Sequence, residues 1–299
     1  MDVSLNGTCD LQGHRGARGK RPENTIPAFQ YCIENQMTTI ELDTNLTKDR
    51  QLIVYHDTVL NGKICRDESG EPTASVPIKD LTVAELKRLD CGGAADDNFP
   101  EQVPVKGTRL ITLVEFFEFI RNFEKNHVPL KPIRFNIETK FPKNYTQSDI
   151  TLAAELMVQT ISDAGMTERS IVQSFILEIL PEIKKLDSRI LTSALFEPGI
   201  VEAALLKSGF SSGREKIIQR ALRVGADIIS PHLLYVNRKL VQRCHALGRK
   251  VLPWVLNDEK MMEAFLDLGV DGIISDYPDR LCRVYSKWEE DRNQRMKST

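Results

Sequence analysis

Four short segments carry the residue types that could do chemistry. His14, followed by Arg15, ends the stretch Leu11–His14, and Glu41 and Asp43 lie two apart in Thr39–Asn45. His56, followed by Asp57, ends the extended stretch Gln51–Tyr55, and Glu138 and Lys140 lie two apart at the close of Ile133–Glu138. Side chains two apart on a strand point to one side, so Glu41 joins Asp43 and Glu138 joins Lys140. Gathering three buried carboxylates is costly through desolvation and like-charge repulsion. A hard divalent cation removes that cost, and an all-oxygen donor set suits Mg²⁺ or Ca²⁺ better than zinc. Two histidines beside such a cation suit in-line displacement at phosphorus, one taking a proton from the nucleophile and the other protonating the leaving oxygen. The cation, Arg15 and Lys140 would then neutralise the non-bridging oxygens. A lone histidine is ordinarily a surface or satisfied core residue, and His127, His232 and His245 read that way. The recurrence of charged groups at successive strand ends is the signal.

The elements that must position these residues alternate along the chain. Two early strands, Leu11–His14 and Thr39–Asn45, flank a helix over Pro27–Asn35 whose apolar spacing comes from Phe29, Cys32 and Ile33. Six further strands follow at Ile133–Glu138, Ile171–Phe175, Arg189–Leu195, Asp227–Ser230, Lys250–Val255 and Asp271–Ser275. The helices between them include Ser148–Ala164, Leu177–Leu186, Asn237–Leu247 and Glu259–Leu268, and Gly165, Gly225, Gly248 and Gly269 supply C-cap signals. Two strands plus six make eight, which predicts a closed (β/α)8 TIM barrel whose chemistry sits at the carboxyl ends of its strands. An open dinucleotide-binding sheet lacks support, because no G-x-G-x-x-G follows the first strand.

Residues 9–285 are expected to form one barrel domain, with 57–110 as an insertion subdomain after the second strand and 286–299 as a charged tail. The insertion is rich in Gly, Pro, Asp and Ser and offers few apolar residues to bury, which argues against an independent domain. Forty Lys and Arg against forty-two Asp and Glu leave a net charge of −2, which excludes a broad nucleic-acid-binding surface. No apolar run approaches the roughly 20 residues of a membrane span. The six cysteines are dispersed without a C-x-x-C pair. The expectation is therefore reduced thiols in a cytosol-like compartment, an even count leaving room for a single bridge. The opening Met1–Gly7 shows no basic-then-apolar signal; had a signal peptide been removed, the protein would be periplasmic or secreted.

Read together, these motifs resemble the glycerophosphodiester phosphodiesterase family. The resemblance rests on Gly13-His14-Arg15-Gly16, Pro22-Glu23-Asn24-Thr25, Glu41-Leu42-Asp43 and His56-Asp57, continued by Glu138-Thr139-Lys140, Gln173-Ser174-Phe175, Trp254 and Asp276-Tyr277-Pro278. It implies a TIM-barrel hydrolase that cleaves glycerophosphodiesters, such as glycerophosphocholine or glycerophosphoethanolamine, to sn-glycerol 3-phosphate and an alcohol. It places one divalent cation, Mg²⁺ or Ca²⁺, on Glu41, Asp43 and Glu138. The acid–base pair would be His14 and His56, the phosphate ligands Arg15 and Lys140, and Trp254 would line the glycerol pocket. Trp254 reads equally as a barrel-core aromatic. Glu23 and Asn24 read as metal or water contacts, or as caps of the first helix, with capping favoured for Asn24. A lysophospholipase D or sphingomyelinase D-like activity on the same fold is the alternative, followed by a non-catalytic phosphodiester-binding barrel.

Overall fold

The computed structural model describes residues 9–127, 132–209 and 213–297; the reading made on Met1–Gly7 lies outside them. Eight parallel strands run β1 (Asp10–Gly13), β2 (Thr39–Leu46), β4 (Arg134–Thr139), β5 (Ser170–Ser174), β6 (Leu191–Phe196), β7 (Ile228–Pro231), β8 (Lys250–Val251) and β9 (Gly272–Ser275). Their order is β8-β7-β6-β5-β4-β2-β1-β9, with β3 (Leu52–Val54) folded back antiparallel on β2. Backbone bonds from Asp271 N, just before β9, to Val251 O in β8, and from Ile274 N to Pro253 O and Leu256 N to Ile274 O between β9 and the segment after β8, draw the barrel shut. The ladder of β8 ends earlier than the apolar run predicts, because Pro253 has no N–H to donate.

Helices α1 (Ile26–Glu34), α2 (Val83–Leu86), α3 (Leu113–Asn126), α4 (Gln147–Asp163) and α5 (Ile179–Leu186) are followed by α6 (Ile200–Lys207), α7 (Gly213–Arg223), α8 (Arg238–Ala246), α9 (Glu259–Leu268) and α10 (Pro278–Lys297). Capping boxes open α3 through Thr112 and Glu115 and α4 through Thr146 and Asp149, which sets where each crossover turns back onto the sheet. Gly269 ends α9 in the left-handed conformation the C-cap signal anticipates. The main core lies between strands and helices and includes Phe29, Phe116, Phe117 and Phe135 packed ring to ring. Cys32 and Cys244 are buried in it as small core residues.

The barrel interior is divided. On one side Ile171, Leu191, Ile228 and Leu252 pack together. On the other, Asp10, Gln12, Glu41, Asn136 and Gln173 are buried and joined by hydrogen bonds.

Two expectations about the insertion are corrected. Its apolar residues, scattered singly among turn formers, nonetheless converge: Leu60, Ile78, Leu86 and Leu110 pack with Ile53 and Tyr55 into a second core. Cys65 and Cys91 are joined by a disulfide across 26 positions and are not free thiols. No C-x-x-C spacing announces the pair. It is assembled by the pairing of Arg66 with Asp90, whose backbone groups exchange hydrogen bonds of 2.7 and 2.9 Å. Among the described residues, no helix is long and apolar enough to cross a membrane.

Candidate active site

His14 follows directly from β1, and the loop it opens folds back tightly. A Cβ on Gly13 would lie 2.1 Å from the Gly16 carbonyl oxygen, so only glycine fits there. Arg15 adopts φ 49°, a conformation costly for a non-glycine residue, and its N–H donates to Glu41 Oε2 at 2.7 Å. The loop thereby fixes one carboxylate from the main chain while aiming the guanidinium elsewhere. Arg15 Nη1 donates to Glu23 at 2.9 Å, and Arg15 Nε lies 3.4 Å from Asp43.

The acidic cluster is set by strand register. Glu41 and Asp43 share one face of β2, and Asp43 pairs in register with Glu138 on β4. Glu41, Asp43 and Glu138 are all buried, and each offers an oxygen within 4.8 Å of the others. Burial, then Asp43 and Glu138, pushes the Glu41 carboxyl well above its ordinary range. Burial would raise Asp43 too, but Lys140 and Arg15 outweigh it and hold that carboxyl below the usual range. Lys140 pairs with Glu138 and lies 3.1 Å from Asp43 Oδ1, an oxygen that accepts no hydrogen bond. Three oxygen donors, one of them ion-paired but without a hydrogen bond, fit a hard divalent cation.

Both imidazoles are held through Nδ1. His14 Nδ1 lies 2.6 Å from Asp276, and His56 Nδ1 lies 2.7 Å from Asp57. Asn257 donates to the second Asp276 oxygen at 2.6 Å, and Asn61 donates to Asp57 at 3.0 Å. Burial lowers the His14 pKa below its ordinary value, although Asp276 opposes the shift. With Nδ1 occupied, Nε2 is the ring atom left to exchange protons.

A cavity of about 210 Å³ collects these groups: His14, Arg15, Glu41, His56, Glu138, Lys140 and Trp254 line it, and Asp43 lies beside Glu41 and Glu138. Trp254 donates its indole N–H to the Ser230 carbonyl and meets the Phe175 ring edge-on at 5.6 Å, so it forms one wall of the cavity with Phe175 and Leu195.

Some expectations shift. Asn24 does not cap α1, whose cap position is Thr25. Its backbone turns left-handed at φ 57°, and its side chain donates to Asp43 Oδ2 at 2.8 Å and accepts from Asp43 N–H at 3.1 Å. Glu23 pairs with Arg15 and Arg18. The partners Asp276, Asn257 and Gln173 had no role assigned from the sequence. Asp276 could have been found by its place immediately after the last strand, level with His14 after the first.

A profile of the glycerophosphoryl diester phosphodiesterase family matches residues 14–280. A glycerophosphodiester phosphodiesterase of Caldanaerobacter subterraneus subsp. tengcongensis is 32% identical over 277 residues, covering 92% of this chain and 96% of its own. A mouse lysophospholipase D is 28% identical, covering 90% of this chain and 83% of its own. Among solved structures, a Silicibacter pomeroyi protein assigned as a glycerophosphoryl diester phosphodiesterase superposes with a TM-score of 0.83 at 26% identity, over 94% of each chain. The chain belongs to the glycerophosphoryl diester phosphodiesterase family and is a phosphoric diester hydrolase on a TIM barrel.

Proposed function

We propose that the protein hydrolyses glycerophosphodiesters, among them glycerophosphocholine and glycerophosphoethanolamine, to sn-glycerol 3-phosphate and the free alcohol with the help of one divalent cation. The observation that carries this reading is the convergence of two carboxylate-anchored imidazoles on a cavity lined by Glu41 and Glu138, with Asp43 beside them. Glu41, Asp43 and Glu138 would hold Mg²⁺ or Ca²⁺. When bound, the ion would supply Lewis acidity and positive charge toward the phosphate.

His14 and His56 share the proton work through Nε2. One accepts the proton of the attacking oxygen, and the other protonates the alcohol oxygen as its bond to phosphorus breaks, so that water is added across that bond. Asp276 and Asp57 hold each ring in the tautomer that makes this possible. Arg15 and Lys140 face the non-bridging oxygens, and Trp254 with Phe175 packs against the glycerol carbons. Residues 9–285 act as one barrel domain, 57–110 as its insertion subdomain and 286–299 as a charged extension. The Cys65–Cys91 bridge supports folding in an oxidising compartment.

The test is turnover of several glycerophosphodiesters after EDTA treatment, with Mg²⁺ and Ca²⁺ restored separately. Release of glycerol 3-phosphate only after ion addition is expected, and undiminished release in EDTA would overturn metal dependence. A second reading, lysophospholipase D activity, draws on α6, which leaves the barrel at the carboxyl end of β6 with Ile200 and Val201 93% and 74% exposed. A lysolipid in the same assay decides between them: preference for it over the deacylated diester would reverse the ranking.

A further inference from the structure

Below the acidic cluster, the polar side of the barrel interior forms a directed chain of amides. Its anchor is Asp10, a buried carboxylate that accepts from Arg134 at 2.6 Å and from the Thr38 and Thr39 hydroxyls at 2.6 Å each. A carboxylate paired with a guanidinium only accepts, so Gln12 must turn its NH₂ toward it, and does so at 2.8 Å. That leaves Gln12 Oε1 facing Asn136, which donates to it at 2.8 Å and to Gln173 Oε1 at 3.0 Å through the same amide nitrogen. Gln173 then has only its NH₂ to offer Glu41, and donates to Oε1 at 2.9 Å. Each amide is oriented by the one before it. Asn136 Oδ1 accepts nothing, and a flip of this amide would set that oxygen against two others, so the direction is not degenerate.

We propose that Gln12, Asn136 and Gln173 are positioning residues for the cation. Asp10 sets the polarity of the chain, and the last link keeps an N–H, not a carbonyl, against Glu41 Oε1 while the Arg15 N–H holds Oε2. The inference rests on the reading of Glu41 as a cation ligand. It concerns how Glu41 is aimed, since none of the three amides belongs to the acidic cluster itself.

The experiment is calorimetric titration of the ion-stripped full chain with Mg²⁺ and with Ca²⁺, on wild type, Gln12→Met, Gln173→Met and the double variant. Loss of the last link is expected to weaken ion binding about 10- to 100-fold, as for other groups that orient a metal ligand. Gln12→Met, which changes a residue bonded to none of the three acids, is expected to weaken it several-fold. The double variant should match Gln173→Met alone, because Gln12 acts only through the chain. Selective ¹⁵N labelling of glutamine amides in the wild type gives a measurement that needs no variant: the Gln12 and Gln173 NH₂ signals should both move when ion is added. Unchanged ion affinity in Gln12→Met, additive losses in the double variant, or a still Gln12 signal beside a moving Gln173 signal would each overturn the relay and leave the amides as packing. A wild-type chain that binds no ion would overturn the metal reading as well, which separates the two failures.

Discussion

His14 and His56 reach the same cavity from supports of different kinds. His14 stands at the end of β1 with its side chain 14% exposed, and Asp276, 5% exposed, comes to it from the other end of the chain. His56 stands where β3 enters the insertion, 31% exposed, and its carboxylate, 36% exposed, belongs to the very next residue. Asp57 is steadied in turn by Asn61, whose N–H donates to the Tyr55 hydroxyl and whose carbonyl accepts from Cys65 N–H. One ring is therefore aligned by closure of the whole barrel, the other by a small local core and its disulfide. Two groups with similar chemistry can thus depend on separate cooperative units of one fold.

Alanine at either histidine gives the largest effect: kcat should fall about 10²- to 10⁴-fold while the melting curve stays close to wild type. Steady-state kinetics beside circular dichroism measures both, and near-normal turnover in either variant would remove that ring from the proton transfer. Serine at both Cys65 and Cys91 comes next. Opening a link across 26 positions should cost about 3 kcal/mol of insertion stability, read as proteolysis within 57–110. The His14 NMR titration should not move in this variant; if it did, the two supports would not be separate.

The smaller contrast lies between the carboxylates. Asp276→Asn removes a buried bond to an ionisable ring, a loss of about 1.5–3 kcal/mol that corresponds to roughly 10- to 100-fold in kcat. Asp57→Asn removes a half-buried pair that water still reaches, generally worth about 1 kcal/mol, or roughly five-fold. Equal losses would erase the distinction. The sign of the pH effect follows from burial of His14, which favours the neutral ring. Its contribution to stability is present above the ordinary histidine value of 6.5 and is lost as pH falls through its own lower value. Because Asp276 raises that value, Asp276→Asn should lower it further, which histidine NMR would show.

The barrel was legible in the sequence because most strands are short runs with β-branched residues, as in Ile171–Val172, Ile228–Ile229 and Ile273–Ile274, and several crossover helices keep their periodicity and glycine stops. The acids were legible because strand alternation dictates their side, and the imidazoles because each stands at the end of an extended run. Asn24 was misread because a polar residue just before a helix looks the same whether it caps or turns inward; its left-handed backbone decides. Gln12, Asn136 and Gln173 carry no local signature, since a single amide in an apolar strand acquires meaning only through neighbours on other strands. Asp276 and Cys91 share that obstacle, being paired across 262 and 26 positions.

The 262-residue span between His14 and its carboxylate bears on how the protein comes into being at the ribosome. All three acids are present in the chain once Glu138 has emerged, but His14 gains its partner only when Asp276, directly after β9, arrives. A chain halted before Asp276 would hold all three acids and both imidazoles with one ring unsecured. Translation would thus have to pass Asp276 before the newborn polypeptide could hold both rings in place.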